Sequence, residues 1–136
     1  MINVLLIEDN FGDVLLVKEA LATYEIENRL HVLSDGQKAL EFVQGMGQAG
    51  GARCPDIILL DLNLPKVDGE VVLAAIREHP GCTDTPVIIM TSSDSAADRR
   101  KAGSLGVKHY FRKPSDLDGF IKLGEIVRTV LKSRPA

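Results

Sequence analysis

Four short stretches of this chain carry groups able to handle a phosphoryl group. They are the acidic run Glu8-Asp9-Asn10, the carboxylate Asp61 with Asn63 two residues on, the hydroxyls of Thr91-Ser92-Ser93, and Lys113 before Pro114. Carboxylates gathered at one point repel each other and raise a pKa unless a cation intervenes. A hard divalent ion such as Mg²⁺ suits an all-oxygen set and keeps waters and phosphate oxygens in its shell. Asn63 offers its backbone carbonyl at the same rim. An ammonium such as that of Lys113 holds one phosphoryl oxygen and the Thr91 hydroxyl another, since phosphoryl transfer needs mainly alignment and positive charge around the equatorial oxygens. A carboxylate is a competent nucleophile and gives an acyl phosphate. Asp61 closes Ile57–Leu60, four apolar residues that read as a strand buried on both faces. Charge is expensive there, so Asp61 either starts a turn or sits at the strand mouth to do chemistry.

Each group has a plainer reading on its own. An acid at a strand end is commonly a cap or turn former, Lys-Pro is a frequent pair, and Thr-Ser-Ser suits the start of a following helix. The weight lies in four elements that end in complementary chemistry.

The elements that must position these groups alternate. Strands are predicted at Ile2–Ile7, Leu30–Leu33, Ile57–Leu60, Val87–Met90 and Val107–Phe111. Between them, helical spacing runs over about Asp13–Tyr24, Gln37–Met46, Gly69–Glu78 and Ser95–Leu105. A last helix is predicted from Asp116 to about Lys132, with Leu117, Phe120, Gly124, Val127 and Leu131 at steps of three or four. Nearly all-apolar strands belong in a parallel sheet covered on both faces. Five βα units with right-handed crossovers predict such an α/β fold. All strand ends then share one edge, where open α/β sheets bind ligands. The glycine-rich stretch GMGQAGGARCP at 45–55 is predicted to be a mobile surface loop.

A chain of 136 residues, 45% apolar and 26% charged, fits one soluble domain over 1–136. A net charge of −3 speaks against a nucleic-acid-binding role. No run approaches a bilayer span, and the N-terminus lacks a secretory pattern. Cys54 and Cys82 are read as reduced thiols in a cytoplasmic protein. His31, His79 and His109 lack metal-ligand spacing and are expected in surface or capping roles.

The motifs IEDN at 7–10, LLDLNLPKVDG at 59–69, Thr91-Ser92 and Lys113-Pro114 resemble the receiver domain of two-component response regulators. The resemblance covers almost the whole chain. It implies a doubly wound, flavodoxin-like (βα)5 sandwich with strand order 2-1-3-4-5, an order the residues alone do not choose. It implies Asp61 as phospho-acceptor for a histidine kinase in a Mg²⁺-dependent reaction. Asp9 and Asp61 then resemble direct metal ligands, Glu8 a partner through water, and Asn63 the carbonyl ligand. Thr91 resembles the switch hydroxyl, Tyr110 the aromatic that follows it, and Lys113 the phosphate-binding lysine, whose bond to Pro114 is typically cis. Two positions depart from the pattern: Glu8 replaces a commoner aspartate, and Ser92 stands where alanine is frequent.

LNLPKVDG, the long loop before the third strand and KPSDLDGF resemble regulators that serve phytochrome-type kinases. By the same resemblance Phe11, Leu15, Leu16, Pro114 and Ser115 form a kinase-docking surface. The fourth helix, fifth strand and fifth helix form an output face and a homodimer contact. Arg99-Arg100-Lys101 reads as a solvated helix face or part of that output surface. With no appended output domain in this reading, the signal passes by protein contacts and the chain is not an enzyme on other substrates.

Three alternatives use parts of the same pattern. An aspartate-nucleophile phosphohydrolase of the haloacid-dehalogenase kind wants a second carboxylate where Asn63 stands, and a cap domain. A flavin-binding module wants hydroxyls and glycines where Glu8 and Asp9 stand. A receiver-like module independent of phosphorylation does not require the full set Glu8, Asp9, Asp61, Thr91 and Lys113.

Overall fold

The computed structural model describes residues 1–47, 51, 53–92 and 95–133. Part of the predicted loop at 45–55, Ser93 and the last three residues of the tail lie outside the described residues. The chain runs β1 (Ile2–Ile7), α1 (Phe11–Thr23), β2 (Asn28–Leu33), α2 (Gly36–Gly45), β3 (Ile57–Asp61) and α3 (Gly69–Glu78). A 3-10 turn (Pro80–Cys82) follows, then β4 (Val87–Thr91), α4 (Ala96–Ser104), β5 (His109–Arg112), α5 (Leu117–Ile121) and α6 (Leu123–Ser133). The strands pair in parallel in the order β2-β1-β3-β4-β5.

Successive strand residues point to opposite faces, and both faces of this sheet are covered. Leu5, Ile7, Ile58, Leu60 and Ile89 pack with Val43, Val72, Leu73 and Ile76 from α2 and α3. Val4, Leu6, Ile57, Leu59, Ile88 and Met90 pack with Val14, Val17, Phe120, Leu123 and Val127 from α1, α5 and α6. β3 is the central strand, and all five of its residues are buried. That explains an apolar run with no alternation.

Helix starts cluster on the edge where the strands end. Asn10, Asp35, Ser95 and Asp116 each cap a helix through a side-chain oxygen that accepts a backbone N–H. Ser95, rather than Thr91 or Ser92, caps α4, which releases the earlier hydroxyls from that duty.

Four expectations are corrected. Val107 does not begin β5: its N–H closes back on the Ala102 carbonyl, with Gly106 at φ +81°, so the segment ends α4 in a Schellman-type turn. The last helix is two segments divided at Lys122, with the weak helix formers Gly119 and Gly124 on either side. No peptide bond among the described residues is cis, so Lys113–Pro114 is trans. Cys54 and Cys82 are joined in a disulfide. They are 28 residues apart, and the pairing was hidden because the segment before β3 and the turn after α3 meet only once the sheet is built. Among the described residues no helix is long and apolar enough to cross a membrane.

Candidate functional site

The register brings the first two acids together. Ile7 is paired with Leu60, so the next residues, Glu8 and Asp61, leave adjacent strands side by side. Carboxylate oxygens of Glu8, Asp9 and Asp61 lie within 4.8 Å of one another. Glu8 and Asp61 are buried, while Asp9 faces solvent. On the other side of β3, β4 ends in Thr91, which is also buried. The Thr91 carbonyl accepts the Lys113 N–H at 2.8 Å, extending the β4–β5 ladder one residue beyond β5. That bond sets the direction of Lys113.

The ammonium of Lys113 reaches into the acidic cluster. Its Nζ lies 2.7 Å from Glu8 Oε2, 2.8 Å from Asp13 Oδ2 and 3.1 Å from Asp61 Oδ2. The other oxygens are also held: Glu8 Oε1 accepts the Asn10 N–H at 3.1 Å, and Asp61 Oδ1 accepts the Asn63 N–H at 2.9 Å. The Asn63 amide donates to Thr91 Oγ at 2.9 Å, so a chain of bonds links Lys113 through Asp61 and Asn63 to Thr91.

Three carboxylates here meet one ammonium, and Asp9 adds a fourth acid beside Glu8 and Asp61. Burial first, and then repulsion from Asp61, push Glu8 up to about 7, although the Lys113 hydrogen bond opposes the rise. Burial alone would lower the Lys113 ammonium, but hydrogen bonds to Asp13 and Glu8 and the charge of Asp61 hold it above its usual range. The lysine therefore stays charged, and the site keeps an excess of negative charge.

Glu8, Asp9, Asp61, Asn63, Thr91 and Lys113 come together as the sequence suggests. Ser92 follows Thr91 and is exposed. Tyr110 stands apart, on β5 opposite Ile89, half-buried against the α2–α3–α4 side. The Arg99 guanidinium lies 4.5 Å from its ring centroid, a cation–π contact. Lys101 pairs with Glu70 of α3 at 2.8 Å, so the basic run is engaged at both ends rather than simply solvated. Phe11, Leu15 and Ser115 are exposed and Pro114 is half-buried. Leu16 packs against the core instead, because its position on α1 turns it toward the sheet.

Asp13 escaped the sequence reading, because it lies inside a predicted helix rather than at a strand end. Its signal was there: it stands one turn beyond the cap Asn10, whose side chain accepts its N–H at 3.1 Å. Leu117 was also missed as a surface residue; it is exposed at the start of α5, which packs on α1.

Residues 4–124 match the family model described as the response regulator receiver domain. The response regulator Rcp1 of Synechocystis sp. is 39% identical over 120 residues, covering 88% of this chain and 82% of Rcp1. The crystal structure of Mn²⁺-bound Rcp1 superposes with a TM-score of 0.86 at 36% identity, covering all of both chains. The phosphorylated cyanobacterial phytochrome response regulator RcpA gives the same TM-score at 32% identity, covering 99% of each chain.

Proposed function

Because this chain belongs to the response regulator receiver domain family, we propose that it accepts a phosphoryl group on Asp61 from a histidine kinase and signals through a change in its surface. One observation carries the reading: a single ammonium, Lys113, spans Asp61 and Glu8 while Thr91 stands linked to Asp61 through Asn63. A cation and a hydroxyl thus flank one nucleophilic carboxylate at the mouth of the central strand.

In the transfer, an Asp61 carboxylate oxygen attacks the phosphorus of a phosphohistidine. The new O–P bond forms as the N–P bond breaks, and the imidazole leaves. The Lys113 ammonium, already 3.1 Å from Asp61 Oδ2, follows the phosphoryl oxygens as charge builds on them. Thr91 gives up the Asn63 bond to donate to a second oxygen. Glu8, Asp9 and Asp61 fit a hard divalent ion, for they present oxygen donors only and their buried negative charge is in excess. Glu8, Asp9, Asp61 and the Asn63 carbonyl would hold Mg²⁺ there, and the ion would supply stabilisation of the negative charge that builds during transfer.

Movement of Thr91 is relayed to Tyr110 and its Arg99 contact, with Ser92 bordering phosphoryl access. Kinase docking uses Phe11, Leu15, Pro114 and Ser115, with Leu16 behind them and Leu117 beside them. A phytochrome-type kinase is supported by the likeness to RcpA. The face made by α4, β5 and the helices after it forms a homodimer contact. We place the protein in the cytoplasm, acting on no substrate beyond its own aspartate and binding no nucleic acid, consistent with its net charge of −3.

Incubation with Mg²⁺ and acetyl phosphate, read by intact mass, tests the proposal. One hydroxylamine-labile phosphoryl adduct is expected, absent with EDTA and in Asp61→Asn. An undiminished adduct in Asp61→Asn would assign the wrong acceptor.

A further inference from the structure

At the end of the sheet opposite Asp61, the disulfide Cys54–Cys82 borders a cleft of about 340 Å³. The cleft is lined by Arg29, His31, Phe42, Arg53 and Cys54 among others, and among the described residues no carboxylate lines it. The nearby carboxylate of Asp56 accepts the Asn3 N–H at 2.7 Å. The two cysteines differ in exposure: Cys82 is fully buried within the α2–α3 side of the core, whereas Cys54 is half-buried and lines the cleft. Their Cα atoms are 5.7 Å apart, inside the normal range for a disulfide. The Thr85 hydroxyl donates to Cys54 Sγ at 2.9 Å.

We propose that Cys54 and Cys82 form a reversible clasp, opened and closed by thiol–disulfide exchange with an anionic low-molecular-weight thiol of the glutathione class, docked in the basic cleft at Cys54. The guanidinium groups of Arg29 and Arg53 suit the carboxylates of such a thiol. Burial of Cys82 leaves Cys54 Sγ as the atom open to attack. The incoming thiolate forms a bond to Cys54 Sγ, the Cys54–Cys82 bond breaks, and Cys82 leaves as a thiolate and takes a proton. A second small thiolate attacks the small thiol's sulfur in the mixed disulfide, releasing Cys54. Two small thiols are oxidised to their disulfide as the protein disulfide is reduced; the reverse sequence, with the small disulfide as oxidant, closes the clasp.

The clasp joins the segment leading into β3 to the turn after α3. The Cys82 carbonyl accepts from Arg77 Nη1 at 3.2 Å, and the same guanidinium holds the Thr85 and Leu105 carbonyls, both at 2.8 Å. Closing the loop between two cysteines 28 residues apart restricts the unfolded chain, so opening it is expected to lower Tm by about 5–10 °C.

The test uses the full chain purified without reductant, its thiols counted by alkylation and mass. Reduction is followed with glutathione and with its diethyl ester, which keeps the thiol and masks the carboxylates. Glutathione is expected to react about fivefold faster per thiolate at low ionic strength, an advantage lost at high salt and in an Arg29→Gln/Arg53→Gln variant. In Cys82→Ser, the mixed disulfide is expected on Cys54. Equal rates for the two thiols in the unaltered protein would overturn the assigned docking. Two thiols that stay free in oxidised glutathione would overturn the clasp. Reduction only by a thioredoxin-class protein dithiol would overturn the small-thiol assignment.

Discussion

At the scale of single residues, the site is organised by how Lys113 divides its ammonium among Glu8, Asp13 and Asp61. Removing it leaves three carboxylates around an empty centre, of which Glu8 and Asp61 are buried. Lys113→Met is expected to cost about 2–4 kcal/mol of stability in metal-free buffer, read by denaturant unfolding, and to slow phosphorylation by acetyl phosphate. Glu8 gives a pH dependence with a definite sign. Its pKa rises from 4.5 to about 7 on folding, so the folded chain binds its proton more tightly than the unfolded chain. Stability from this group is full below pH 4.5 and is lost as pH rises through 7. In chelator, Glu8→Gln is therefore expected to stabilise the protein at pH 8 by about 1–3 kcal/mol and to change little at pH 4. Thermal unfolding at the two pH values checks it; equal shifts would contradict the assigned cause. The residue types at strand ends made Glu8, Asp9, Asp61, Thr91 and Lys113 legible in the sequence. Asp13 was not, since which helix face meets the site is fixed by packing and not by local pattern.

At the scale of elements, the apolar runs gave the strands and their chemistry-bearing ends. Boundaries slipped where a single backbone hydrogen bond decides, as at Val107. The start of α3 also packs against the strand end that carries Asp61. A Cβ added at Gly69 would lie 2.5 Å from the Asp61 carbonyl and 2.6 Å from Leu62 Cα, both backbone atoms that cannot turn aside. Gly69→Ala is expected to cost about 1–3 kcal/mol and to displace the strand end, slowing phosphorylation of Asp61. Unfolding and adduct kinetics on the same variant check both effects. On β5, Tyr110 carries Arg99 over its ring, and in the proposed function this pair turns a site event into a surface event. Tyr110→Ala is expected to leave phosphorylation of Asp61 near normal while abolishing the phosphorylation-linked change in amide exchange along α4. Such a change requires that phosphorylation favour one of two conformations over the other.

At the scale of the whole molecule, the alternation of strands and helices specified a parallel α/β sheet, and the resemblance supplied its order. What stayed hidden joins segments distant in sequence: the Cys54–Cys82 bridge, the Arg77 node and the cleft near Arg29 and Arg53. None leaves a local period or motif, because each depends on which loops share an end of the sheet. The central claim concerns Asp61, and it is tested most directly by marking the acceptor chemically. Borohydride reduces an aspartyl phosphate to homoserine, so the phosphorylated protein can be reduced, digested and mapped by peptide mass. Homoserine at position 61, dependent on phosphorylation, is the result this account predicts. Homoserine at Asp9 or Asp13 instead, or none in protein that carries the adduct, would contradict it.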